Sequence, residues 1–109
     1  MAYDHELAAR IRELVAGEEG LTERRMFGGL AFLANGNMAV AASGQGGLLV
    51  RVDARDGDRW MEAGVAPMVM RGKEMPGWLR VTGGLTDAGL EQWVSRGVAY
   101  ARTLPPKVT

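Results

Sequence analysis

Cysteine is missing from this chain, and histidine nearly so, His5 being the only one. Without thiols there is no disulfide, no thiolate nucleophile and no Cys-type zinc site. One histidine near the N-terminus needs a second nitrogen or sulfur ligand to hold a transition metal, and no carboxylate cluster stands out to replace it. His5 therefore reads as a solvated helix residue. The serines are Ser43 and Ser95 alone, and neither sits in a strand-to-helix elbow that would expose a nucleophile. With no triad and no metal site, neither an enzyme nor a bound cofactor is expected. Also lacking is any apolar run near the roughly 20 residues that a membrane helix needs. The N-terminus has no basic stretch leading into an apolar one, so it does not read as a signal peptide. A cytoplasmic protein without a membrane partner is the expectation. Charge of one sign is lacking too, since Lys plus Arg and Asp plus Glu are 13 each. Nonspecific affinity for nucleic acid comes from clustered cations, so tight direct DNA binding is not expected.

What is present suits one globular domain over residues 1–109: the length is typical, and an apolar content of 47% is too high for disorder. Leu7, Ile11, Leu14 and Val15 make one apolar stripe of a first helix, with Asp4 to cap it and Gly17 to end it. Three strands follow, over 26–34, 38–42 and 48–52. Asn35-Gly36 joins the first two, because both residues tolerate the positive φ of a type I′ turn. Asp53 is placed to cap a short helix reaching to about residue 63, with Gly64 as its stop. Residues 68–71 and 78–82 read as two further strands, and the intervening 72–77 as a turn. Thr86 caps a last helix whose stripe is Leu90, Trp93, Val94, Val98 and Ala101, with Gly97 on the same face. The expected architecture is α+β in two layers: a mainly antiparallel five-stranded sheet with helices on one face, in the order α-β-β-β-α-β-β-α.

Several residues invite a functional reading. Gly44-Gln45-Gly46-Gly47 leads into a strand rather than a helix, so it reads as a hairpin and not as a phosphate loop. Gly28-Gly29 lies within a strand pattern, where glycine marks a bulge or a close backbone approach. Arg24, Arg25, Arg51, Arg71 and Arg80 are candidates for a basic patch, Arg51 and Arg80 sharing the outer face of the sheet; such a patch is a solvated face or a docking site for an acidic partner. Seven methionines are many for this length. Met68 and Met70, with Trp78, are candidates for an adaptable ligand pocket, against the alternative that they fill the core. The candidate partner or ligand surface is thus Arg24, Arg25, Arg51, Arg80, Met68, Met70 and Trp78. In the hairpin, Leu33 should pair with Met38 and Phe32 with Ala39. Val40 then shares a face with Leu33, and Met26 shares one with Phe32. Both faces are apolar, which points to a homodimer covering the second, unless the segment 64–77 covers it or its small residues are simply exposed.

One ordered series of motifs carries a resemblance. It comprises Arg24-Arg25-Met26-Phe27-Gly28-Gly29-Leu30, then Asn35-Gly36-Asn37-Met38, then Leu48-Leu49-Val50-Arg51-Val52-Asp53. Ala66-Pro67-Met68 and Met75-Pro76-Gly77-Trp78 follow, and last come Trp93-Val94 and the stretch from Gly97 to Lys107. In this order they resemble the N-terminal domain of the TfoX/Sxy family of bacterial competence regulators. The resemblance implies a two-layer α+β fold, with Phe27, Gly28, Gly29, Asn35, Gly36 and Trp93 as structural motif residues. It also implies a competence-linked regulatory role, since founding members act as transcriptional coactivators, and hence an as yet unknown protein partner. No catalytic residue comes with it.

Overall fold

The computed structural model describes residues 3–26 and 28–107. Among these, two helices and six strands form an α+β fold in the order α1 (His5–Leu14), β1 (Leu21–Met26), β2 (Gly29–Ala34), β3 (Asn37–Ala42), β4 (Leu48–Arg51), a 3₁₀ helix (Ala54–Trp60), β5 (Val65–Met70), β6 (Lys73–Val81) and α2 (Asp87–Thr103). The strands make one antiparallel sheet in the order β1-β2-β3-β4-β6-β5. The expected five strands are corrected to six. The additional one is β1, four of whose six residues are exposed. It is an edge strand with Thr22, Glu23, Arg24 and Arg25 along it, and charge of this kind discourages a second chain from adding to an open edge. Such a strand has no apolar alternation to reveal it.

The run 26–34 is therefore a hairpin rather than one strand. Met26 pairs with Gly29, and Gly28 turns with φ 76°. Phe27 lies outside the described residues. At Gly29 a side chain would collide with the Ala42 carbonyl oxygen, so the glycine is a close backbone approach, as expected. The Asn35-Gly36 turn has φ of 52° and 83°, the signature of type I′. Leu33 pairs with Met38, as the turn dictates, but Phe32 pairs with Val40 and not with Ala39. Ala39 is the extra residue of a β-bulge. That one residue moves Val40 and Ala42 onto the face of Phe32, and Ala41 onto the face of Ala31 and Leu33. Met26 also changes sides, packing with Ala31 and Leu33, because a turn separates it from β2.

The segment 73–77 is strand, not turn: Arg71 and Gly72, with φ of 54° and 78°, make the β5–β6 hairpin. Pro67 sits on the edge strand β5, and Pro76 lies in β6 beyond its last pair with β4, positions where a missing N–H costs no ladder bond. The helix expected over 53–63 is a 3₁₀ turn ending at Trp60; Gly57 in its middle weakens α-helix there. Helix α1 stops at Leu14, before Gly17, and Leu14 is exposed while Ala8 takes its place in the core.

Both helices lie on one face of the sheet, α2 against β3 and β4 and α1 against β3 and α2. The Asp4 carboxylate accepts from the N–H groups of Glu6 and Leu7, and Thr86 Oγ1 accepts from Gly89, so both helix starts are capped as the sequence indicates. Leu90, Trp93, Val94, Gly97, Val98 and Ala101 of α2 are buried, facing Phe32, Val40, Leu48 and Val50. On the opposite face, Ala31, Leu33 and Ala41 are only 1%, 6% and 5% exposed, under Met26, Met38 and Leu49. The second apolar face is thus largely covered within one chain.

Candidate ligand cleft on the open face of the sheet

On the face away from the helices, a cleft of about 150 Å³ is lined by Met26, Ala31, Met38, Ala41 and Leu49 of the first four strands and by Met68, Val69, Met70 and Arg71 of the β5–β6 hairpin. Four of the seven methionines meet there. The strand registers bring them together: Met38 is opposite Leu33, Met26 opposite Gly29, and the hairpin places Met68 and Met70 on alternate positions of β5. Ser43, Gln45 and Arg80 complete the lining. Arg80 stands opposite Leu49 on the neighbouring strand, and directly paired residues share a face.

The Arg80 guanidinium is tied to the β3–β4 loop. Its Nη1 donates to Ser43 Oγ at 2.8 Å and to the Gly46 carbonyl at 2.7 Å, and its Nη2 donates to Gln45 Oε1 at 3.3 Å. The loop itself is closed by Ser43 N–H on the Gly47 carbonyl, with Gly46 and Gly47 at positive φ. This confirms the hairpin reading of 44–47. All three acceptors are neutral. Among the described residues no carboxylate lines the cleft.

The structure gathers only part of the candidate surface. Met68, Met70 and Arg80 line the cleft. Arg24 is on the same side of the sheet, since it pairs with Ala31, while Arg25 pairs with Leu30 and is turned to the helix side; both are exposed. Arg51 and Trp78 are cross-strand partners outside the cleft: the Arg51 guanidinium lies 5.3 Å from the Trp78 ring centre and 6.0 Å from that of Tyr100. Trp93 is core, 5% exposed and edge-on to Trp60 at 6.4 Å. Met26, Met38, Ser43 and Gln45 are the cleft residues that sequence reasoning missed, because strand register rather than proximity along the chain assembles them.

Elsewhere the polar groups satisfy one another. The Arg55 side chain and backbone N–H hold the Asp53 carboxyl at a pKa of about 2. The Arg12 guanidinium, bonded to Glu23 at 2.6 Å and 2.9 Å, keeps that carboxyl below its usual range. A wider groove between the helices contains Arg102, already bonded to Glu18 and to the Glu19 carbonyl. No group of three or more His, Cys, Asp or Glu side chains placed to hold a metal occurs among the described residues. No helix among them is long and apolar enough to cross a membrane.

These features define a small α+β domain with an apolar, cation-rimmed cleft on its sheet. The model of the TfoX N-terminal domain matches residues 13–101, a span that contains all six strands and most of α2. The chain belongs to the TfoX N-terminal domain family. Comparison with curated proteins and with solved structures gives no match.

Proposed function

We propose that this chain is a regulatory protein-interaction module that modulates transcription through a protein partner, in a competence-related setting and in the cytoplasm. The observation that carries the reading is the family match over residues 13–101. The balance of 13 basic and 13 acidic residues fits action through a protein rather than a direct grip on duplex DNA. Deleting the coding sequence in the native host should change a defined set of transcripts, and supplying the chain in trans should restore them. An unchanged transcript profile would contradict the proposal.

A second reading, a small-ligand sensor, is favoured by the cleft. Its apolar lining and its few convergent polar groups are the usual make-up of a ligand site. The pocket is lined by methionine rather than by methionine and tryptophan, since Trp78 is occupied with Arg51.

A further inference from the structure

We infer that the cleft binds a small apolar carboxylate, with the carboxylate held by Arg80, Arg71 adding a second positive charge at the rim, and the apolar body seated among Met26, Met38, Met68 and Met70. The inference rests on the second reading above and specifies the chemistry of that site.

Charge gives the first reason. Arg10, Arg12, Arg55, Arg59 and Arg102 each meet a carboxylate. Arg51 and Arg96 lie over aromatic rings. Arg80 is half-buried and has neither kind of partner among the described residues, only three neutral oxygens. A guanidinium carries about five N–H donors, so Arg80 retains donors for a ligand while the loop fixes its orientation. Arg71 adds a second cation at the rim, set at a hairpin tip by φ of 54°. An anion at Arg80 gains charge-assisted hydrogen bonds, which are stronger than those to neutral acceptors. A neutral ligand would leave the half-buried Arg80 without a counter-charge.

Size gives the second reason. Pockets for drug-sized ligands measure about 300–1,000 Å³, and the cleft offers about 150 Å³. An engineered apolar cavity of about 150 Å³ accepts benzene. One ring or a short alkyl chain therefore fills the space. Unbranched, polarizable methionine side chains adjust to such a body more readily than leucine or valine.

The test titrates benzoate and its neutral analogue benzamide into the full chain carrying ¹³C-methyl methionine. Benzoate should shift the methyl signals of Met26, Met38, Met68 and Met70 saturably and leave those of Met61 and Met75, which lie outside the lining. It should bind about tenfold more tightly than benzamide, the difference expected from one charge-assisted bond. Arg80→Gln should abolish the preference for benzoate. Because Arg80 also secures the loop, Arg71→Gln provides a second variant at an exposed hairpin tip, and benzoate should bind it several-fold more weakly. Saturable binding of both probes with equal affinity would overturn the carboxylate inference alone. Absence of a saturable shift with either probe would overturn the ligand-site reading as well.

Discussion

Gly97 of α2 rests directly on the Ala39 carbonyl of β3. A Cβ at position 97 would lie 2.6 Å from that oxygen and 2.8 Å from a Val40 methyl. The bulge at Ala39 and the glycine in the helix are two halves of one contact, which lets α2 approach the sheet closely. Gly97→Ala gains about 1 kcal/mol of helix propensity but drives a methyl into backbone, and overpacking costs about 1–3 kcal/mol. Because a backbone carbonyl has little room to yield, a net loss of about 1–2 kcal/mol and a Tm lower by about 5–10 °C are expected. Gly17→Ala is the control, with nothing within 4 Å of the new methyl; its Tm should stay equal or rise. The order reversed would contradict the packing.

Trp93→Ala should be far more damaging. Trp93 is buried, with Trp60 edge-on and the Arg96 guanidinium 4.7 Å from its ring centre. Truncation of a buried tryptophan costs about 3–5 kcal/mol, a large share of the roughly 5–15 kcal/mol that holds a domain together. Circular dichroism should show a largely unfolded chain or a Tm lowered by well over about 10 °C. A Tm within a few degrees of the parent would contradict the placement.

Acid should act on Asp53 in a defined window. Its carboxyl is lowered from 3.8 to about 2 by the Arg55 side chain and backbone N–H. A depressed carboxyl stabilises the folded state above its unfolded pKa and loses that effect as pH falls through the folded value. The contribution is thus present above 3.8 and lost toward about 2. The pair is exposed to solvent, so the effect on stability is small. The direct readout is the NMR titration of the Asp53 carboxyl carbon, with a midpoint expected near 2. A midpoint near 3.8 would show that the contact with Arg55 does not form in solution.

The reason to expect a homodimer is an apolar second sheet face in need of cover. Ala31, Leu33 and Ala41 obtain that cover from Met26, Met38 and Leu49 of the same chain. Any homodimer must therefore form through the rest of the surface, and light scattering at about 100 μM, well above the affinities of weak specific complexes, decides it: twice the chain mass of 11.7 kDa is expected, and the monomer mass would contradict it.

What could be read from the sequence was local. Asn35-Gly36 declares its turn because positive φ is a property of those two residues. The α2 stripe declares its face because 3.6-residue periodicity is written into one segment. The features that escaped depend on partners distant in the chain. Strand β1 carries charges because it is an edge, and a charged segment reads as a loop until its neighbour is known. The bulge at Ala39 answers to Gly97 on α2, and nothing in residues 38–42 requires it. Met26 and Met38 reach the cleft only once the registers are set, and Arg80 finds its acceptors more than 30 residues earlier in the chain.

The proposed role requires that the chain act through a protein partner. Photocrosslinking amino acids placed in the native host at Arg24 and Val69, exposed on the sheet, and at Glu91, exposed on α2, test it most directly. A discrete protein adduct is expected from at least one of these positions, with a partner whose own deletion changes the same transcripts as deletion of this chain. Adducts confined to DNA, or a captured protein whose loss leaves those transcripts unaltered, would contradict it.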